Sequence, residues 1–292
     1  MAGVERVERR GEVTLRGTDA WRFASECAGV DFEIRVAEPT PGPMSPPADR
    51  HGVLYVLDGD LFFGTATEMT RLQSMLFGEL PPLRVVGIGY GTNDPRIQGE
   101  TRNRDFTPTA DARFEAMGRQ MRPDWEPLLP EGQRMGGADR FLDFLEKELK
   151  PFIEGTYPVD GQDSTLFGSS MGGLCATWAL LTRPQAFRRY VIASPALWWD
   201  DGVVFRAEEA RAERGGDLEA RAYFGVGSLE EGAGIPGLDA WKMISNPRRL
   251  VALLESRAYP SLVGTFQVLD GESHTSVVPV ALTRGLRHLY RR

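Results

Sequence analysis

The chain has 292 residues, of which 41% are hydrophobic and 26% are charged. These proportions are ordinary for a soluble globular protein, and a chain of this length can bury a core without disulfides or metal ions. The formal net charge is −7, which argues against a phosphate-binding surface for nucleic acid.

The first residues, 1–6, are polar and lack the apolar stretch of a secretory signal. No apolar run in the sequence is long enough to span a bilayer. We therefore expect a cytoplasmic protein that has no membrane partner. The two cysteines, Cys27 and Cys175, lie far apart in the sequence, so they predict neither a disulfide framework nor a metal site.

The first forty residues alternate between apolar and polar side chains at 21–25 and 32–36, which predicts two antiparallel strands. A proline-rich tract at 39–47 predicts a loop. Continuous apolar runs at 52–57 and 84–90 are typical of strands that are buried on both faces of a parallel sheet. Apolar residues at helical spacing between these two runs predict a helix over 65–77.

The segment 91–137 interrupts this order, because it is rich in Gly, Pro, Arg and Asp and has no clear periodicity. A stretch of this length inside a compact domain is usually functional. We therefore interpret it as an insertion or lid within a single domain, 1–292. An apolar helical face returns at Ala138, and Pro151 is expected to kink or end that helix.

Strands and helices alternate in the second half of the chain. The predicted strands are 165–167, 190–193, 222–227 and 263–269, and the predicted helices are 174–181, 248–256 and 277–290. This order predicts an α/β fold with a mostly parallel central sheet and helices on both faces. The two N-terminal strands would extend that sheet as an antiparallel edge.

The sequence Gly168-Ser169-Ser170-Met171-Gly172 follows a predicted strand and precedes an apolar helix. In this context, G-x-S-x-G spacing is typical of a sharp turn that exposes the central serine above the sheet as a nucleophile. The alternative is a glycine-rich turn that only packs closely. Ser169 lacks the flanking glycine pair, so Ser170 is the predicted nucleophile.

A serine nucleophile needs a base that takes its proton, and the sequence has three histidines. His51 precedes the first buried strand and so lies at the wrong edge of the sheet. His288 lies within the last predicted helix and is interpreted as structural or exposed. His274 follows the last strand, at the same edge as the nucleophile, so elimination leaves it as the base.

An acid that orients the base should follow the strand before it. Glu230 occupies this place, with Glu231 and Asp239 as neighbouring alternatives or simple loop charges. Two N–H donors are expected for a developing oxyanion, one from Met171 and one from Asp60, in the loop after the first buried parallel strand.

Several segments together resemble the esterase family of α/β-hydrolases, which includes siderophore trilactone esterases, bacterial feruloyl esterases, esterase D and the mycolyltransferases. The resemblance covers residues 12–290. It rests on the segments 53–59, 87–90, 102–107, 166–173, 194–199 and 271–274. It implies the α/β-hydrolase fold and the hydrolysis of a small-molecule carboxylic ester through an acyl-enzyme, without a cofactor or metal ion.

By this resemblance Ser170, His274 and Glu230 form the catalytic triad, and Met171 and Asp60 are the oxyanion donors. Ser169 departs from the pattern, since many relatives have histidine there. The open alternatives are an acyltransferase, a thioesterase, a peptidase, or a degenerate hydrolase that only binds a ligand. A monomer or small homo-oligomer is expected.

The resemblance also places Arg102 and Arg104 near the substrate. Together with Trp198 and Trp199 they would suit an anionic, aromatic ligand such as a catecholate siderophore. The alternative is that the arginines join the insertion to the body of the domain and that the tryptophans pack beneath it.

Overall fold

A computed structural model describes residues 11, 13–45, 48–121, 124, 126–234 and 238–291. Its centre is an eight-stranded sheet in the order β1-β2-β4-β3-β5-β6-β7-β8. The strands are β1 (Thr18–Ser25), β2 (Val30–Ala37), β3 (His51–Val56), β4 (Leu83–Gly89), β5 (Val159–Ser169), β6 (Arg189–Ala193), β7 (Ala220–Gly227) and β8 (Leu262–Leu269).

Ten α-helices lie in the described residues. They are α1 (Gly59–Met75), α2 (Pro95–Phe106), α3 (Ala112–Met121), α4 (Ala138–Phe144), α5 (Lys150–Thr156), α6 (Met171–Thr182), α7 (Trp199–Arg214), α8 (Leu238–Trp241), α9 (Ser245–Ser256) and α10 (Val277–Tyr290). None of these helices is long and apolar enough to cross a membrane.

The predicted sheet is confirmed. Strands β3 to β8 pair in parallel, whereas β1 pairs with β2 and β2 with β4 in antiparallel fashion. The two N-terminal strands are therefore the antiparallel edge that the alternating pattern predicts. Residues 1–6 and the prolines at 46 and 47 of the predicted loop lie outside the described residues.

Each central strand is apolar on both faces because the sheet is covered on both sides. In β3, Tyr55 faces the cluster that contains Phe141 of α4 and Leu174 of α6. Its neighbour Leu54 faces the opposite cluster, which contains Ala281 of α10. Successive side chains of a strand point to opposite faces, so this sandwich explains the unbroken apolar runs in the sequence.

The segment 91–137 is more regular than its sequence pattern indicates, since it contains α2 and α3. Helix α2 begins at the N-cap Asp94, whose carboxylate accepts from the Arg96 amide, and Pro95 occupies its first turn. Only the last turn of α2 is buried. A helix that buries so little has no continuous apolar stripe, and the periodicity test therefore misses it.

The helix that begins at Ala138 does not end at Pro151. A π-helical turn, Leu145–Leu149, joins α4 to α5, and Pro151 lies in the first turn of α5. Proline has no N–H for a hydrogen bond to the preceding turn, so it usually breaks a continuous helix. The wider π turn places the proline there without breaking the element.

Helix α7 has no counterpart among the predicted elements. It begins at Trp199, and the next three residues, Asp200, Asp201 and Gly202, all have positive φ angles. Left-handed backbone is costly for residues other than glycine. The amide of Asp200 donates to the Asp111 carboxylate, and the Thr109 hydroxyl donates to the Asp200 carboxylate. The insertion therefore holds this turn in place.

Close packing of α1 on β4 yields a stability prediction. A Cβ atom at Gly59 would lie 2.6 Å from the Ile88 nitrogen and 2.8 Å from the Gly87 carbonyl carbon. We expect Gly59→Ala to lower the free energy of unfolding by about 1–3 kcal/mol, because the β4 backbone must shift. Urea unfolding measures this change.

Gly64 in the same helix is the matched control, since a Cβ atom there meets nothing within 4 Å. Gly64→Ala should stabilise the protein by roughly 0.5–1 kcal/mol through helix propensity alone. Equal destabilisation by both substitutions would contradict the packing argument.

Candidate active site

Ser170 lies in a strained turn between β5 and α6, with φ 56° and ψ −115°. Positive φ is uncommon for a residue with a side chain and is found at functional sites that the surrounding structure enforces. Gly168 permits this turn, because a Cβ atom there would lie 2.2 Å from the Gly172 carbonyl oxygen. The structure therefore gives the G-x-S-x-G segment the backbone geometry of a nucleophile elbow.

Glu230 and His274 form a direct pair, with Glu230 Oε2 lying 2.6 Å from His274 Nδ1. The side chain of Glu230 is fully buried, whereas that of His274 is 34% exposed. A carboxylate can only accept hydrogen bonds, so this contact assigns the proton to Nδ1 and leaves Nε2 free to accept one. The arrangement suits an imidazole that acts as a base.

Close contact between two loops brings this pair together. A Cβ atom at Gly227 would lie 2.3 Å from the Glu272 carbonyl oxygen, so only glycine fits where the two loops meet. The Leu229 amide donates to that same oxygen at 3.0 Å. The Gly271 amide donates to the Ser228 hydroxyl oxygen at 2.9 Å. These contacts fix the loop after β7 against the loop after β8.

Ser194 is a site residue that the sequence reasoning missed. It is fully buried, has φ 40°, and follows β6. Its hydroxyl donates to Glu230 Oε1 at 2.5 Å, and the Gly227 amide donates to the same oxygen at 2.6 Å. Its place after an apolar strand, at the edge where α/β sheets bind ligands, is the signal that could have identified it.

These side chains share one edge of the sheet. Ser170, Ser194, Glu230 and His274 follow β5, β6, β7 and β8, which are parallel and adjacent. The carboxyl ends of parallel strands meet at the same edge. The predicted nucleophile, base and acid thus follow three of these four neighbouring strands, and Ser194 follows the fourth.

The two predicted oxyanion donors lie at the first turns of helices on adjacent strands. Met171 is the first residue of α6, after β5, and Asp60 is the second residue of α1, after β3. First-turn amides have no partner within their own helix, and the helix dipole adds partial positive charge there. Both amides have the local setting that an anion requires.

The carboxylate of Asp60 is held away from its own amide. It accepts from the Tyr90 amide at 2.6 Å and from Arg35 at 3.0 Å. Its side chain is only 3% exposed although the residue as a whole is half-buried. The surface that Asp60 presents therefore belongs to its backbone.

Arg102 joins the insertion to the elbow. Its guanidinium donates to both carboxylate oxygens of Asp58, at 2.8 and 3.0 Å. The nearest atom to a Cβ built at Gly172 is also an oxygen of Asp58, at 3.2 Å. Burial alone would lower the pKa of Arg102, but the paired Asp58 outweighs burial and raises it. Arg102 thus lies beside the elbow as a neutralised cation that is 23% exposed.

Arg104 is more deeply placed. Its guanidinium donates to both oxygens of Asp105, at 2.7 and 2.6 Å, and its side chain is 9% exposed. The Tyr90 hydroxyl also donates to Asp105, at 3.0 Å. Since Tyr90 binds Asp60 through its amide, the arginine supports the loop that contains Asp60 through a chain of contacts and offers little free charge to a ligand.

The two predicted tryptophans have different surroundings. Trp199 is fully buried, and its indole N–H donates to the Thr109 carbonyl at 3.0 Å. Trp198 is half-buried and stacks on Trp241 with ring centroids 5.1 Å apart. Trp241, another residue that the sequence reasoning missed, is the last residue of the short helix α8, where the sequence has no periodic pattern. Of the two predicted tryptophans, Trp198 therefore has the exposed surface.

The alternative acids have other partners. Glu231 accepts from the Ile244 and Ser245 amides, at 2.9 and 2.7 Å, and Asp239 accepts from the Gly232 amide. Both carboxylates organise the loop between β7 and α9. The described residues contain no group of three or more His, Cys, Asp or Glu side chains that could hold a metal ion.

The chain is similar to known esterases over most of its length. The ferri-bacillibactin esterase BesA of Bacillus subtilis (strain 168) is 32% identical over 280 residues, which are 94% of this chain and 90% of that protein. A siderophore enterobactin esterase of Emericella nidulans is 35% identical over 212 residues, which are 71% of this chain and 67% of that protein.

The crystal structure of the BES protein from Bacillus cereus matches with a TM-score of 0.79 and 30% identity, covering 98% of this chain and 99% of that one. The sheet and its flanking helices are thus those of an α/β-hydrolase. The family described as "Putative esterase" matches residues 25–276. The chain belongs to this esterase family and is an enzyme that hydrolyses esters.

Proposed function

We propose that this enzyme is a serine esterase that cleaves a siderophore-type ester through an acyl-enzyme. The observation that carries the proposal is the strained Ser170 on the same sheet edge as the buried Glu230–His274 pair. The relatives BesA and the Emericella nidulans enzyme, both named as siderophore esterases, support the choice of substrate.

In the first half of the reaction, His274 Nε2 takes the proton of the Ser170 hydroxyl as the oxygen attacks the ester carbonyl carbon. Glu230 stabilises the imidazolium that forms. The Met171 and Asp60 amides donate to the oxyanion of the tetrahedral intermediate. The intermediate collapses when the bond to the alcohol oxygen breaks, and His274 returns the proton to that leaving group.

In the second half, water takes the place of the alcohol. His274 removes a proton from the water as its oxygen attacks the acyl carbon bound to Ser170. The second tetrahedral intermediate occupies the same two donors. Its collapse releases the acid and returns the proton to the serine oxygen, so the enzyme ends as it began.

The aromatic surface beside the elbow supports a ring-bearing substrate. The Ala196 amide donates to the Ser170 carbonyl, so the segment that leads to Trp198 runs directly along the nucleophile. Trp198 and Trp241 are parallel within 15° and both half-buried. A flat aromatic acyl group can stack against such a pair. Arg102 would add a polar contact, shared with Asp58.

The same proposal places the enzyme in the cytoplasm as a monomer or small homo-oligomer. Cys27 and Cys175 are both free thiols. Free thiols persist in reducing compartments, which supports a cytoplasmic location. Size-exclusion chromatography with light scattering measures the oligomeric state.

Replacing the nucleophile should abolish the chemistry. We expect Ser170→Ala to lower kcat by at least about 10⁴-fold, because no other group forms the acyl-enzyme. Labelling by a fluorophosphonate should disappear as well. Ser169→Ala is the matched control, and it should keep both activity and labelling. Labelling that persists in Ser170→Ala would refute the assignment.

The contacts of Glu230 give a graded prediction. Glu230→Gln should lower kcat by about 10⁴-fold, since it loses the charge that stabilises the imidazolium. Ser194→Ala removes one donor to that carboxylate and should cost about tenfold.

The loss in Ser194→Ala should appear in kcat and leave KM nearly unchanged, because Ser194 contacts Glu230. The exposed Ser256, whose hydroxyl donates to the Leu253 carbonyl, is the control, and Ser256→Ala should leave kcat and KM unchanged. A Ser194→Ala enzyme with an unchanged kcat would contradict a role of this hydroxyl in holding the Glu230 carboxylate.

Substrate choice can be tested with a panel of p-nitrophenyl esters and ferric or metal-free tri-catecholate and hydroxamate esters. We expect kcat/KM to favour the siderophore-type esters. Trp198→Leu should lower kcat/KM for esters with an aromatic acyl group by about tenfold, the size of a lost ring contact. It should leave kcat/KM for acetate esters unaffected. Trp178→Leu, at a tryptophan bonded to Asp139, is the control. Activity on simple short esters alone would overturn the siderophore assignment.

A further inference from the structure

A second cleft lies at the opposite edge of the sheet. Its volume is about 760 Å³, which is within the usual range for small-molecule sites. The segments around it are the end of α7 and the residues that lead into β6, β7 and β8. Strand β7 has 8 residues, so at about 3.3 Å per residue the cleft is roughly 23 Å from the catalytic edge.

The lining of this cleft is unusually basic for an acidic protein. Four cations line it: Lys150, Arg188, Arg211 and Arg221. None of the four forms an ion pair with a carboxylate in the part of the chain that the structure describes. In contrast, Arg102, Arg104, Arg183, Arg189 and Arg257 elsewhere each contact a carboxylate at hydrogen-bonding distance.

The two carboxylates in the lining offset only part of this positive charge. Asp217 accepts from the amides of Leu218 and Ser261, at 2.7 and 3.1 Å. A hydrogen bond from the Ser261 side chain and these backbone contacts lower the pKa of Asp217, and the charge of Arg211 lowers it as well. Glu219 is exposed. Four positive charges against two negative ones leave the cleft with a net charge of +2.

Two of the arginines also carry an unfilled hydrogen-bonding requirement. The Nε atoms of Arg211 and Arg221 are buried and have no hydrogen-bond partner among the described residues. A buried donor of a charged group without an acceptor is costly. An anion that enters the cleft can offer oxygen acceptors to these guanidinium groups.

We propose that this cleft binds a small oxyanion with two or more negative charges, of phosphate or polycarboxylate chemistry. Planar guanidinium groups match such oxygens in bidentate fashion. Neutral donors complete the lining, among them Ser164, Gln162 and Gln185. Phe187 forms an apolar wall, and the Lys150 ammonium lies 5.1 Å from its ring centroid. The ligand does not overlap with the ester, which reacts at the other edge.

The test uses isothermal titration calorimetry of the full chain with pyrophosphate and, separately, with citrate. We expect saturable binding of at least one of them that weakens as salt rises, because the contacts are charged. Tighter binding of pyrophosphate identifies phosphate as the preferred chemistry, and tighter binding of citrate identifies polycarboxylate. Acetate, with a single charge, should bind at least about tenfold more weakly than either, since it loses one charged contact.

Helix α7 offers a matched pair of variants. Arg211 lines the cleft and donates to the Asp217 carbonyl, whereas Arg214 on the same helix is outside the lining and donates to the Ala210 carbonyl. Arg211→Gln should weaken binding about tenfold, the cost of one charge-assisted contact, and Arg214→Gln should not change it. Arg188→Gln, at an exposed position, should act like Arg211→Gln with little risk to folding.

Ester hydrolysis by the Arg188→Gln enzyme should equal that of the unmodified enzyme, which separates this proposal from the assignment of the catalytic residues. Thermal unfolding checks that each variant is folded. If neither pyrophosphate nor citrate gives saturable heat, the proposal is overturned. Equal loss of binding in Arg211→Gln and Arg214→Gln would overturn it too, since the effect would then be one of net charge.

Discussion

The buried carboxylate of Glu230 is the group on which the proposed catalytic site depends. An isolated charge in a fully buried position is very costly, so it must be surrounded by donors. Its donors are the Ser194 hydroxyl, the Gly227 amide and the His274 ring. They follow or end three neighbouring strands, β6, β7 and β8. The hydrogen bonds to this one carboxylate therefore hold three strand ends together next to the elbow that carries Ser170.

Much of this arrangement could be predicted because it depends on local and repeated signals. Buried parallel strands give unbroken apolar runs, and the strict helical spacing of residues 277–290 matches α10. The elbow is a local motif, and the parallel order fixes the edge to which each loop belongs. That order placed His274 and Glu230 together without any knowledge of distances. Ser194 follows the same rule, but a serine after a strand has no distinctive spacing.

What could not be predicted depends on tertiary contacts. The left-handed start of α7 is held by Asp111 and Thr109, about ninety residues earlier in the chain. Helix α2 has little apolar surface and rests on ion pairs. The sequence also does not indicate that Arg104 forms an ion pair with its neighbour Asp105. Sequence patterns indicate which residues are buried, but they do not indicate which charged side chains form ion pairs with each other.

The backbone of Asp60 resolves an apparent conflict at the proposed oxyanion site. An acidic residue is an unexpected neighbour for a developing negative charge, because like charges repel. Here the carboxylate turns toward β2 and the end of β4, where it accepts from Arg35 and from the Tyr90 amide. These side-chain contacts thus fix the orientation of the Asp60 backbone, whose N–H is the proposed oxyanion donor. A neutral residue without these acceptor oxygens would keep the same N–H donor but lose the two contacts that fix its orientation.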